Sequence, residues 1–185
     1  MKPLIVVFAG GTSGPWRIQR IDAVIGESLP VTERLAVLEG ESRLPVEVDW
    51  VLRGVTSNER YVNGAERATL TDRQAGLGRP EARCATLIPI KKSETWWEFT
   101  QETRRGIFEE RSRHIATSLH YLPAVARRLH HGRDLGEPFD FLTWFEYAPA
   151  HAEAFEELVG KLRETEEWAY VEREVDIRLV RDSHP

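Results

Sequence analysis

The sequence predicts an α+β fold in which helices cover one face of an antiparallel sheet, and three observations carry this. The second half alternates strand, helix, strand, helix, strand, an order that lays helices on a sheet. Residues 150–164 place Phe155, Leu158, Val159 and Leu162 at the 3.6-residue spacing of an amphipathic helix. Residues 170–181 set Val171, Val175, Ile177 and Leu179 against Glu172, Glu174, Asp176 and Arg178, the period-two pattern of a strand.

In chain order, residues 4–9 and 16–25 are predicted strands, joined by a turn over the glycine- and proline-rich stretch 10–15. Residues 26–46, broken by Pro30 and Pro45, are expected to be an irregular connection or short edge pieces. Residues 47–57, with Val48, Trp50, Leu52 and Val55, are predicted as a strand. The polar stretch 59–76 is expected to be a loop with a helical turn. Residues 83–91 are a predicted strand, apolar on both parities. Pro89 within it cannot donate a ladder hydrogen bond and predicts an edge, a bulge or a strand end. Ser93 is placed to cap a short helix containing Trp96 and Trp97. A long helix is expected over 100–131, closed by Gly132, then a strand over 138–147 and the helix and strand described above. No low-complexity segment and no clear sequence repeat is seen.

The bulk properties narrow the function. A chain of 185 residues, 41% hydrophobic and 30% charged, fits a globular protein that buries a sizeable core. The net charge of −5 argues against a general nucleic-acid or anionic-membrane binder, so an anion site here must be a local basic pocket. Cys84 is the only cysteine, which excludes an internal disulfide and a cysteine-based metal cluster and suits a reducing cytosol. The apolar run at 4–9 is too short for a signal-peptide core or a membrane span, and a cytoplasmic protein is expected. Gly10-Gly-Thr-Ser-Gly14 lacks the Gly-Lys-Ser/Thr of a phosphate loop and the glycine placement of a nucleophile elbow. No His-Glu-x-x-His pattern supports a zinc protease.

His114 and Arg127 are the most informative pair. Histidine can ligate a metal through a neutral ring nitrogen, and arginine carries a permanent planar charge suited to small oxyanions. On one straight helix they would lie roughly 20 Å apart at ~1.5 Å rise per residue and point to different faces. A bend at Pro123 would let them flank a flat object. Each residue also has an ordinary reading. His130 and His131 fit a helix C-terminus, Lys91-Lys92 a charged strand end, Glu166-Glu167 a solvated face and Trp96-Trp97 a core position.

Taken together, four segments resemble the chlorite dismutase family, its short dimeric branch in particular. They are Leu87-Ile-Pro-Ile-Lys-Lys92-Ser-Glu-Thr-Trp96-Trp97, His114-Ile-Ala to Arg127, Gly136-Glu-Pro-Phe-Asp-Phe-Leu-Thr-Trp-Phe-Glu-Tyr147, and Thr165-Glu-Glu167 to Arg178. The resemblance implies two ferredoxin-like modules, a trimmed one over 1–80 and a haem-binding one over 81–185, with antiparallel sheets, and a homodimer. By residue match it implies haem b (iron protoporphyrin IX) with His114 as the proximal iron ligand. Glu167 and Lys92 would stand behind that histidine. Tyr61 and Trp96 would lie near the propionates and ring edge, with Trp97 packed nearby. Arg127 would be the distal catalytic cation, Gln74 its polar neighbour, and Thr143 and Phe145 would line the distal pocket. The implied reaction converts chlorite, or another small oxyanion, to chloride and dioxygen. Two alternatives are a coproporphyrin-haem decarboxylase, in which glutamine typically replaces the distal arginine, and a non-catalytic haem-binding or sensing module. The Gly-x-x-Asp-Gly motif of dye-decolorising peroxidases does not occur.

Overall fold

Short apolar runs punctuated by glycine and proline give strands, and here they close on one another. In the computed structural model of the chain, residues 4–40, 43–45, 47–56 and 75–182 are described. Among them are β1 (Ile5–Gly11), β2 (Trp16–Ile25), β3 (Arg34–Glu39), β4 (Val48–Thr56), β5 (Cys84–Lys92), β6 (Val125–His131), β7 (Phe141–Tyr147) and β8 (Val171–Arg181). All recorded pairings are antiparallel, and the strands form a closed barrel in the order β1-β3-β2-β8-β5-β7-β6-β4. The ring consists of two arcs, β4-β1-β3-β2 and β8-β5-β7-β6. In each, the fourth strand lies beside the first, then the third, then the second. The arcs meet along β2–β8, from Trp16–Arg181 to Ile25–Glu174, and at the short seam Val55–His131 and Thr56–His130.

The expected mixture of antiparallel sheet and helices is present, but as one barrel rather than sheets with free edges. Closure has a physical reason: each arc alone would leave its outer strands with unpaired N–H and C=O groups, and joining the arcs pairs them along β2–β8 and at the short β4–β6 seam. The irregular connection expected over 26–46 contains β3, which pairs with β1 over most of its length. The expected loop at 59–76 lies outside the described residues, apart from its last two positions.

Side-chain parity sorts the barrel into two cores. Inward-facing Val6, Phe8, Trp16, Leu35, Leu52, Leu87, Trp144, Ile177 and Leu179 fill its interior. Gly10 sits within β1 because a Cβ there would come 2.2 Å from the Trp50 indole. The outward parity of β5 and β7 builds a second core from Ile88, Ile90, Phe141, Phe145 and Tyr147, joined by Val125 of β6 and by Val171 at the start of β8. Phe155 and Val159 of helix α4 (Ala152–Arg163) cover it. Both faces of β5 are thus buried, which explains its apolar residues on both parities. Pro89 sits inside this central strand rather than at an edge; it pairs with Leu142 of β7, and the β8 ladder skips Ile88 and Pro89 without changing register.

The largest departure lies at 100–131. In place of one helix the chain forms α2 (Gln101–Arg105), a π-helical segment Gly106–Arg111, α3 (His114–Leu119) and then β6, while the short helix expected just before it is present as α1 (Glu94–Glu98). Pro123 is one reason: it lacks an N–H and disfavours helical backbone in the residue before it. Beyond it, Val125 and Leu129 share a face on either element, because residues four apart coincide at a period of two as well as 3.6. His130 and His131 are accordingly strand residues, and Gly132 closes no helix but precedes the short 3-10 turn Arg133–Leu135 as its N-cap. Ser93 occupies the N-cap position of α1, but its side chain makes no capping hydrogen bond.

Candidate functional site

Between the outer face of β5, β6 and β7 and the covering helices lies a cavity with an open mouth. Its walls are mostly apolar, with Ile88, Ile90, Ile115, Leu129, Phe141 and Val159 among them. A few polar groups converge on this space, as is usual for small-molecule sites.

His114 enters from the helical side. It is the first residue of α3, just after Arg113, a non-glycine residue at φ 52°. Left-handed backbone at such a residue costs about 1–2 kcal/mol and persists only where the surroundings impose it. Arg113 has no side-chain oxygen with which to cap the helix. Glu109 does this instead, accepting from Ile115 N at 2.7 Å and Ala116 N at 3.2 Å. Phe108 stacks on the imidazole with ring centroids 4.4 Å apart and planes at 23°. The His114 ring is thus held by the backbone turn below it and an aromatic face beside it.

Behind His114 stands a buried ionic chain. His114 Nδ1 lies 2.8 Å from Glu167 Oε2, and Lys92 Nζ lies 2.8 Å from Glu167 Oε1. Ser112 Oγ accepts from Glu167 N at 3.0 Å, so residues on both sides of Arg113 grip the carboxylate-bearing segment. Burial pushes the Glu167 carboxyl upward, but Lys92 and His114, by charge and hydrogen bond, overcome it and hold the pKa down at about 2. An ionised carboxylate can only accept, so Nδ1 carries the proton and Nε2 is the nitrogen left for a ligand. Lys92 also lies 4.5 Å from the Trp96 ring centroid.

Arg127 enters from the sheet side, on β6 opposite Phe145 of β7, and both line the cavity with Thr143. Burial pushes the Arg127 guanidinium pKa down from its ordinary value. It keeps its proton at neutral pH, because arginine starts so high.

The cavity thus brings together His114, Glu167, Lys92, Trp96, Arg127, Thr143 and Phe145 among the residues expected from the sequence. Trp97 stands one layer back: it stacks on Phe141 at 5.8 Å and donates from Nε1 to Asp140 Oδ2 at 3.2 Å. Tyr61 and Gln74 lie outside the described residues. Glu167, given a solvated face as its ordinary reading, is 5% exposed. Sequence reasoning missed Phe108, Glu109, Ser112, His131 and Asp140. Asp140 accepts from Lys92 N at 2.7 Å and fixes the end of β5 that presents the lysine. Its position within the 136–147 segment was the one available signal. His131 was hidden by the helix assignment.

A family model described as chlorite dismutase matches residues 38–182. A chlorite dismutase of Ideonella dechloratans is 30% identical over 132 residues, which cover 70% of this chain and 44% of that protein. The chain therefore spans less than half the length of that curated relative. The crystal structure of dimeric chlorite dismutases from Nitrobacter winogradskyi is 61% identical, with a TM-score of 0.89 over 96% of this chain and 99% of that one. A structure of chlorite dismutase from Candidatus Nitrospira defluvii in complex with imidazole is 19% identical, with a TM-score of 0.67 over 97% and 91% of the two chains; this likeness concerns the fold alone.

Proposed function

The chain belongs to the chlorite dismutase family, and from that premise we propose that it is a haem b enzyme converting chlorite to chloride and dioxygen. The observation that carries the reading is the cavity's two-sided chemistry: a carboxylate-backed histidine on the helical side and a half-buried arginine on the sheet side. The residues fit the group. The cavity walls are mostly apolar, and the His114 tautomer set by Glu167 leaves Nε2 to bind iron.

A bound haem would supply the redox chemistry at chlorine and oxygen. The side chains do the rest. His114 would hold the iron, and Glu167 fixes the ring's orientation and makes it a stronger donor by accepting a hydrogen bond from Nδ1. Lys92 keeps Glu167 ionised. Arg127 would draw in the chlorite anion and keep its chlorine and oxygen atoms together in the pocket by its charge. Conversion of chlorite to chloride and dioxygen balances in atoms and charge and consumes no proton, so a cation that does not titrate suits it. In a water-poor pocket such a preorganised charge acts far more strongly than in water. Gln74 is proposed to orient Arg127, Tyr61, Trp96 and Trp97 to meet the cofactor's edge, and Thr143 and Phe145 to shape the pocket around the anion.

The same reading takes the protein as a cytoplasmic homodimer of chains built from two ferredoxin-like modules, 1–80 and 81–185. The strand order supports the modules, since fourth-first-third-second occurs in both arcs. The second arc also has the βαββαβ connectivity of that motif. The Nitrobacter neighbour, described as dimeric, supports the homodimer.

The test is direct. Haem-loaded protein given chlorite is expected to release dioxygen at an electrode, well above a free-haem control. Arg127→Ala is expected to keep its haem, lose most of the dioxygen yield and bleach sooner. No dioxygen from the wild type sinks the reading, and an unchanged yield in the variant removes Arg127 from its role. Decarboxylation of iron coproporphyrin with peroxide, seen by mass spectrometry, would favour the decarboxylase instead.

A further inference from the structure

His114 owes its place to a carboxylate that comes five residues before it in the chain and does not line the cavity. Helix α3 begins at His114, and a helix start usually relies on its N-cap side chain to accept from the first free amides. Arg113 holds that position, supplies no acceptor, and has left-handed backbone at φ 52° and ψ 36°. Glu109 serves instead with both oxygens, accepting from Ile115 N at 2.7 Å with one and from Ala116 N at 3.2 Å with the other. Ile115 is buried, so an amide orphaned there has little water to turn to.

The backbone in between makes this reach possible. In the π-helical segment Gly106–Arg111 the turn is widened, and Ser112 N donates to Ile107 O, five residues back, at 3.1 Å. Left-handed Arg113 then turns the chain so that the first amides of α3 face Glu109. Such backbone at a non-glycine residue persists only where its surroundings impose it. Glu109 ties down the residues after Arg113. Ser112 Oγ, accepting from Glu167 N at 3.0 Å, ties down the residue before it. His114 lies between these ties, and its Nδ1 donates to Glu167 Oε2 at 2.8 Å. Without the Glu109 carboxylate, the turn at Arg113 relaxes toward right-handed backbone and the first turn of α3 shifts. A small rotation there weakens a bond as directional as that from Nδ1 to Glu167.

We propose that Glu109 is a positioning residue for His114: by capping α3 it fixes the angle at which His114 meets Glu167, and so sets how strongly the imidazole donates to a bound iron. The second half rests on the haem reading above, the first half does not, and the test takes them apart. In apoprotein with isotope-labelled histidine, NMR follows the His114 Nδ1 proton, assigned by its loss in His114→Gln. Its exchange with water is expected to be roughly tenfold faster in Glu109→Ala than in wild type. Glu109→Gln should fall between them, since glutamine keeps one acceptor oxygen and loses the charge. In ferrous haem-loaded protein, the iron–histidine stretching band in resonance Raman should drop and broaden in E109A. Haem loss to an excess of scavenging apoglobin should quicken roughly tenfold, with E109Q again intermediate. Thr100→Ala is the control. It removes a cap of the same kind, Thr100 Oγ1 accepting from Thr103 N at 3.2 Å at the start of α2. It should lower the melting temperature and leave both His114 signals as in wild type. If E109A loses stability but keeps the wild-type exchange rate and band, Glu109 is a structural cap only and the proposal is overturned. Equal changes in T100A overturn it as well, because the signals then follow stability in general. If E109A does not fold, E109Q alone decides, and a wild-type exchange rate and band in it overturn the proposal. A wild type that binds no haem sinks the haem reading, while the proton-exchange comparison still decides whether Glu109 places His114.

Discussion

Single residues in this protein are set by their buried partners more than by their own chemistry. His130 and His131 are chain neighbours with opposite surroundings. His131 faces the cavity, whereas His130 points into the barrel with no exposed surface, edge-on to Phe8 at 5.1 Å. Leu142 O accepts from His130 Nδ1 at 2.9 Å, and Arg128 Nε donates to Nε2 at 3.1 Å, so both ring nitrogens are committed to the neutral form. Burial first, with the Arg128 charge adding to it and the Leu142 bond opposing, pushes the His130 pKa down to about 4. Above about pH 6.5 the ring is neutral whether folded or unfolded, and the stability it permits is fully present. As pH falls from there, the unfolded chain takes up a proton that the folded chain refuses until about pH 4, and stability drops by about 3 kcal/mol. Urea midpoints at pH 7.5 and 4.5 should therefore differ more for the wild type than for His130→Gln, which cannot titrate. An equal drop in both would assign the acid lability to other groups.

At the scale of elements, the helix over the cavity is held by charge as well as by apolar contact. The charged parity of β8 is buried: Glu174, Asp176 and Arg178 are 0%, 3% and 6% exposed. Arg163 of α4 bridges Glu174 at 2.6 Å and Asp176 at 2.8 Å, and Arg178 pairs with Asp176 and with Glu156 of α4. Glu174 also accepts from Trp168 Nε1 at 2.7 Å, and Trp168 lines the cavity. The network therefore supports the wall formed by Trp168, Val159 and Leu162. Replacing Arg163 with methionine keeps length and apolar stem but strands a buried carboxylate. It should cost about 3 kcal/mol, read as a lower melting temperature, and should hasten haem loss. A variant as stable as the wild type would show that apolar packing alone holds α4.

For the whole molecule, closure of the barrel joins two arcs of unequal attachment. β2 and β8 pair over nearly their full length, whereas β4 and β6 meet only at Val55–His131 and Thr56–His130. At that seam a Cβ on Gly54 would come 2.6 Å from His130 Cβ, so glycine is what lets the two strands approach. Gly54→Ala should force them apart and cost about 2 kcal/mol, as overpacking does. Hydrogen exchange should then quicken at Val55, Thr56 and His130 while the β2–β8 amides stay protected. Uniform exchange across the barrel would mean that the seam is not a separate weak point.

Much of this architecture was legible in the chain. β2 has the bounds its alternation predicts, and α4 and β8 follow from their periods, because one buried face forces one pattern. The candidate residues on short motifs were legible too: His114, Glu167, Lys92 and Arg127 all line one cavity. β3 was not, since Arg34-Leu-Ala-Val-Leu-Glu39 is short and built largely of good helix formers, and only pairing with β1 makes it a strand. β6 was not, because Val125 and Leu129 fit both periods. The repeated strand order of the two arcs leaves no trace as a sequence repeat. By itself, then, the sequence determined the pattern of most elements, a local property of side chain and spacing, and through its resemblance to a family it named candidates for the site. Only the tertiary structure decided that His114 and Arg127 approach one cavity from a helix and a strand, and that the charges of β8 are buried. Those facts depend on which distant strands close the barrel and on what α4 then covers.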